Sequence, residues 1–131
     1  MRYALAITLF SAAGVDTVWS GAYTDAQAKR GEALYAERCS TCHAPDLSGL
    51  DQAPALTGAD FMTEWNDLST NDLFERVRIS MPADKPGSLT RQEVADAVAF
   101  ILSKDGFPSG SAELPTDADA LKGIKFLAKK P

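Results

Sequence analysis

The sequence predicts an all-α domain of three to five helices. Three observations carry this expectation. Three segments open with a capping signature and continue with apolar residues at helical spacing. No segment alternates polar and apolar residues as a half-buried strand would. Ala44 to Gly58 reads as one long irregular connection with two prolines and two glycines. A loop of that length is uncommon in a small compact domain unless something besides helices fills the core.

The elements follow in chain order. Arg2 precedes an almost wholly apolar or small run from Tyr3 to Val15. Ser20-Gly21-Ala22 then places small residues at the −3 and −1 positions of a leader-peptidase site. Residues 1–22 are therefore expected to form a secretion signal peptide, with Tyr23 starting the mature chain; the competing reading is an uncleaved anchor or a buried N-terminal helix. The apolar run is short for a membrane span, and Gly14 and Asp16 interrupt it. Thr24-Asp25-Ala26-Gln27 is a capping box whose helix runs through Ala28, Leu34 and Tyr35 toward Cys39. Ala59 to Trp65 predicts a short helix with Phe61, Met62 and Trp65 facing inward. Ser69-Thr70-Asn71-Asp72 is a second box, followed by Leu73, Phe74 and Val77 on one face. Thr90-Arg91-Gln92-Glu93 is the third, opening a stripe of Val94, Ala97, Val98, Phe100 and Ile101 that stops near Gly106.

Residues 23–106 thus form the expected domain and 107–131 an extension. Pro115-Thr116-Asp117 is a helix-start signal within that extension, and Leu121, Ile124, Phe126 and Leu127 give it an apolar side. The extension is expected to lie on the domain as a strap; the competing reading is that Lys122, Lys125, Lys129 and Lys130 dock a partner.

Length and composition bound the function. A chain of 131 residues is one domain on size, and 45% hydrophobic with 24% charged residues is globular. Net charge is −5, and removing Arg2 and Asp16 with the leader leaves it unchanged. Such a domain is a poor nucleic-acid binder. The single histidine, His43, rules out a hydrolytic triad independent of the motif that contains it.

That motif is Cys39-Ser40-Thr41-Cys42-His43, a C-x-x-C-H signature for covalent c-type haem attachment. Two thiols on one helical turn match the spacing of the two porphyrin vinyl groups, and the next residue brings an imidazole under the iron. The rival readings are weaker. A thioredoxin-like pair wants a βαβ context, and structural zinc wants four ligands where only three are present. A second axial ligand cannot be another histidine, so methionine is the next choice. Met1 leaves with the leader, and Met62 has the helical spacing of a core residue. Met81 begins the proline-rich loop Met81-Pro82-Ala83-Asp84-Lys85-Pro86-Gly87, stiff enough to hold a thioether in place. His43 and Met81 are the expected iron ligands.

Over about residues 24–106 the chain resembles the class I cytochrome c family. The resemblance implies a fold of three to five helices around one covalently attached haem. It also implies that the first and last helices cross through Gly31 and Tyr35 on one side and Ala97 and Phe100 on the other. Pro54, in Pro54-Ala55-Leu56, matches the proline whose carbonyl orients the ligating histidine, here His43. Gly58-Ala59-Asp60-Phe61 leading to Trp65, Met81-Pro82, and the extension from Phe107-Pro108 are similar to small bacterial cytochromes c associated with quinoprotein (pyrroloquinoline quinone) dehydrogenases. Trp65 suits a core place or contact with a haem propionate. The lysine ring of mitochondrial cytochrome c is missing, which sets aside partners that read a basic face.

The expectation is therefore a monomeric electron carrier, not an enzyme, with one haem c, exported to the periplasm. By resemblance its donor is a quinoprotein dehydrogenase and its acceptor a terminal oxidase or another cytochrome. The alternatives are a haem sensor or peroxidase-like protein with an open sixth position, and a redox partner of a secreted copper oxygenase.

Overall fold

The computed structural model describes residues 14–51 and 53–131. The greater part of the expected leader, residues 1–13, lies outside the described residues. Six helical segments follow one another: α1 Asp25–Arg38, α2 Ser40–His43, α3 Ala59–Trp65, α4 Thr70–Ser80, α5 Arg91–Lys104 and α6 Ala118–Lys122. The helices anticipated from caps and spacing are α1, α3, α4 and α5, and the start signal at Pro115-Thr116-Asp117 opens the short α6, whose N-cap is Asp117; α2 is an addition of about one turn. Among the described residues there is no strand, only isolated bridges joining Thr17 and Ser69 to Lys125 and Leu50 to Ala53.

The helix starts have local causes. Ser69 and Thr90 each accept from the N–H three residues on, and Asp72 and Glu93 reach back to the cap N–H. At α1, Thr24 accepts from Gln27 N–H at 3.1 Å, but the Gln27 side chain does not complete the box. It is fully buried and exchanges two hydrogen bonds with the Leu114 backbone, donating at 3.1 Å and accepting at 2.7 Å. The extension is thereby tied to the first turn of α1.

The core is built on the crossing of α1 and α5. A Cβ at Gly31 would fall 1.9 Å from the Asp96 carbonyl oxygen and 2.8 Å from Phe100 Cβ. Only glycine permits that approach. Beside it the rings of Tyr35 and Phe100 lie 5.3 Å apart. One expectation changes in detail here: α5 is buried on all sides from Val94 to Leu102, not along a single stripe. Asp96 is inside that stretch because Arg30 donates to both its oxygens at 3.2 Å, with Gln92 adding a third bond at 2.8 Å. Arg30 also pairs with Glu113 of the extension at 2.6 Å.

The extension lies on the domain, with Leu114, Leu121, Ile124 and Phe126 buried. It does not lie there alone. Val18, Ala22 and Tyr23 are buried too, and Trp19 meets Phe107 edge-on at 4.7 Å. From Trp19 an unbroken row of rings runs through Phe107, Phe126 and Phe61 to Trp65, with centroids 4.7–6.3 Å apart. Such edge contacts are favourable beyond their buried area. Trp65 and Met62 are half-buried against this core.

Candidate functional site

The end of α1 presents the first thiol. Helix α1 stops at Arg38, and Cys39 caps it, its N–H donating to the Tyr35 carbonyl at 2.9 Å. One turn, α2, follows directly, with the N–H groups of Cys42 and His43 donating to the Cys39 carbonyl at 3.3 and 3.0 Å. Cys39 and Cys42 are thus successive rungs of a single turn. Both are free thiols; Cys39 is half-buried and Cys42 exposed. Burial pushes the Cys39 thiol up, partly offset by the neighbouring Arg38 charge.

His43 is held at both its ring and its backbone. Nδ1 lies 2.8 Å from the Pro54 carbonyl oxygen. A carbonyl can only accept, so Nδ1 carries the proton and the lone pair is on Nε2, free for a metal. The His43 carbonyl accepts from Gly49 N–H at 2.9 Å, and the Tyr35 hydroxyl donates to the carbonyl of Ala44. Burial above all, with the Asp46 charge beside it, pushes the Tyr35 hydroxyl up to about 12, so it stays a donor. The chain then folds back sharply. Ala44, Leu47 and Gly49 all take positive φ, and Leu56 N–H donates to the Leu47 carbonyl at 2.9 Å. At Gly49 a Cβ would stand 2.7–2.9 Å from the backbone of Ala53, Pro54 and Ala55. Glycine is what lets the Pro54 segment come near enough to serve His43.

Met81 occupies the C-cap of α4, with its N–H on the Val77 carbonyl at 3.0 Å. It is half-buried, and Pro82 behind it is buried and ends the helix. The following loop is closed by turns from Lys85 N–H to the Pro82 carbonyl and Ser88 N–H to the Lys85 carbonyl. Met62 packs with α3 on the core, as its spacing implied.

Four residues in or near this region escaped the sequence reading. Gly49 and the Tyr35 hydroxyl act on the backbone around His43, and no side-chain pattern announces them. Asn71 Oδ1 and Asp105 Oδ2 are buried without a hydrogen-bond partner among the described residues. Asn71 lies on the helix that ends at Met81. Asp105 follows α5, where burial raises its carboxyl to about 7, with the Gly58 N–H pulling weakly the other way.

A family model described as cytochrome C oxidase, cbb3-type, subunit III matches residues 26–101, more than half the chain. The chain belongs to this cytochrome c family. The cytochrome therefore carries covalently bound haem c and transfers electrons through it. Its residues fit that group: two free thiols on one turn, and a histidine with a lone pair on Nε2. Among solved structures, the cytochrome is similar to a chain of the sulfane dehydrogenase SoxCD from Paracoccus pantotrophus. Identity is 24% and the TM-score 0.48, over 81% of this chain and 58% of that one, so the cytochrome spans little more than half its length. No curated protein matches the chain.

Proposed function

We propose that the cytochrome is a single-haem electron carrier working outside the cytoplasm, with Cys39 and Cys42 as the thioether anchors and His43 and Met81 as the axial ligands. The observation that carries this reading is the His43–Pro54 hydrogen bond on a C-x-x-C-H turn. It directs the Nε2 lone pair away from the loop and keeps the ring from rotating. When bound, the haem supplies a one-electron iron couple whose potential a methionine ligand raises. The protein's part is to hold both ligands still. Gly49, Tyr35 and Pro54 do so on the histidine side, and the α4 cap with Pro82 does so on the methionine side.

The donor in this reading is a quinoprotein dehydrogenase, supported by the resemblance of the segments around Trp65, Met81 and Phe107. The acceptor is a terminal oxidase or another cytochrome, supported by the family's description as an oxidase subunit. The net charge of −5 suits partners that present a positive patch. No helix among the described residues is long and apolar enough to cross a membrane.

The test compares two methionine variants of the haem-loaded protein. Met81→Ala should remove the weak far-red absorbance band of the oxidised form, lower the potential and open the iron to carbon monoxide. Met62→Ala should leave all three unchanged. The opposite pattern would assign the sixth ligand to Met62. A wild-type protein that already binds carbon monoxide and lacks the band would favour the sensor or peroxidase-like alternative.

A further inference from the structure

The segment Val15–Ala22 is built into the fold in a way that a discarded leader has no reason to be. Its backbone brackets Lys125: Val18 N–H donates to the Lys125 carbonyl at 3.0 Å, and Lys125 N–H donates to the Asp16 carbonyl at 2.8 Å. Val18 between them is completely buried. Trp19 lays its ring against Phe107 and donates its indole N–H to the Leu127 carbonyl at 2.9 Å. Two residues on, Gly21 meets Gly110. A Cβ at Gly110 would stand 2.4 Å from the Gly21 carbonyl oxygen, and one at Gly21 would stand 3.0 Å from Gly110 Cα. Each side of that contact is glycine, and each has to be.

Complementarity of this kind runs in both directions. Without residues 15–22, the extension would keep a Lys125 N–H and two carbonyls, of Lys125 and Leu127, stripped of partners, and Phe107 would lose the ring that covers it. Leader peptidase, for its part, reads only small residues at −3 and −1 behind a short apolar run. Ser20-Gly21-Ala22 meets that rule. Ser11-Ala12-Ala13 also has the small residues, with Tyr3–Phe10 as the apolar run ahead of it, in a leader of 13 residues that is slightly shorter than the usual ~15–30.

We propose that Val15–Ala22 belongs to the mature cytochrome as a clamp on the C-terminal extension, and that leader cleavage falls at Ala13–Gly14. The proposal adds a processing site to the exported-carrier reading and rests on export only for the cleavage itself. The clamp stands on packing alone.

The experiment has two arms. In the first, the chain is produced in a host that matures c-type haem, and the periplasmic holoprotein is subjected to N-terminal sequencing and intact-mass measurement. A start at Gly14 is expected, and a start at Tyr23 overturns the proposal. A chain still beginning at Met1 overturns the cleavage assignment together with export. In the second arm, Trp19→Ala is introduced into the same full chain. A residue removed with the leader cannot affect the product, so an unchanged melting curve overturns the clamp. The expected result is a Tm lowered by about 5 °C or more with the haem spectrum preserved. If Trp19→Ala does not accumulate as folded protein, the milder Trp19→Phe, which removes only the indole bond to the Leu127 carbonyl, is melted in its place; a lowered Tm is again expected, and an unchanged curve overturns the clamp.

Discussion

The α1–α5 crossing and the loop from Ala44 to Gly58 meet at Tyr35, near the end of α1, and they are held together by different physics. The crossing is a packed contact: Gly31 against the Asp96 backbone, Tyr35 against Phe100, with nine consecutive residues of α5 buried. Its stability is spread over many small dispersion and burial terms. The loop has little such packing. Among its described residues, Leu47 is the one fully buried large side chain, and the loop's shape comes from a handful of directed bonds at His43, Ala44, Gly49 and Leu56. A packed contact tolerates the loss of one weak interaction but not the insertion of an atom. A bonded loop is the more sensitive to losing a single bond, although at Gly49 it too has no room for an added atom. Tyr35 belongs to both, with its ring in the crossing and its hydroxyl in the loop.

Three substitutions put that contrast at risk. Gly31→Ala should have the largest effect, because its Cβ collides with a backbone atom that cannot turn aside. We expect about 3 kcal/mol of destabilisation in denaturant unfolding of the holoprotein. A loss under about 1 kcal/mol would show that the crossing yields, and the distinction between the regions would fail.

Asp105→Asn tests the edge of the core, where α5 ends beside Gly58. The folded carboxyl titrates near 7 against an ordinary value of 3.8. Between those values the folded state holds a proton that the unfolded chain has released. The contribution is fully present below pH 3.8 and is lost as pH rises through 7. Allowing for the partial exposure of the side chain, wild type should lose roughly 1–2 kcal/mol relative to Asp105→Asn between pH 4 and pH 8. The asparagine variant should be the more stable at pH 8. Taking the difference between two melting series removes Glu75 and Asp46, whose lowered values act in the opposite sense. Parallel curves for the two proteins would mean that Asp105 holds its proton no more tightly in the folded state than in the unfolded one.

Tyr35→Phe is the smallest change and the sharpest. It keeps the ring against Phe100 and removes only the bond to the Ala44 carbonyl. Stability should fall by roughly 1 kcal/mol. The reduction potential should move as well, since the backbone next to His43 is released, whereas Phe100→Leu should lower stability with the potential unmoved. Equal effects of the two variants on potential would erase the division between packing and loop.

What the sequence reveals follows the same line. Caps at Thr24, Ser69 and Thr90 are local devices, so the helices they open are readable from neighbouring residues. The C-x-x-C-H turn is readable for the same reason, and Gly31 becomes so once a helix crossing is expected. The Gln27 side chain is not: its partner is Leu114, and nothing near Gln27 hints at that. Gly49 is legible as a turn residue but not as the gap through which Pro54 approaches. Burial of α5 on every side was also out of reach, because Asp96 looks like an exposed position until Arg30 is placed beside it. Val18 and Trp19 look like the tail of a leader for the most general reason of all. Their partners are Lys125 and Leu127, at the other end of the chain.

That distance has a kinetic side. The Trp19–Leu127 bond spans 108 positions. Drawing such remote points together from an open chain costs about 4 kcal/mol in loop entropy, before the fixed cost of closure. One indole bond and a two-bond ladder cannot offset that by themselves. They become favourable only when the intervening helices have already brought residues 23 and 107 side by side, and the gap to be closed has shrunk to a few residues. The ends of the cytochrome are therefore expected to join after the α1–α5 crossing has formed. In that order of events, the turn that receives the haem forms in a chain not yet fastened shut.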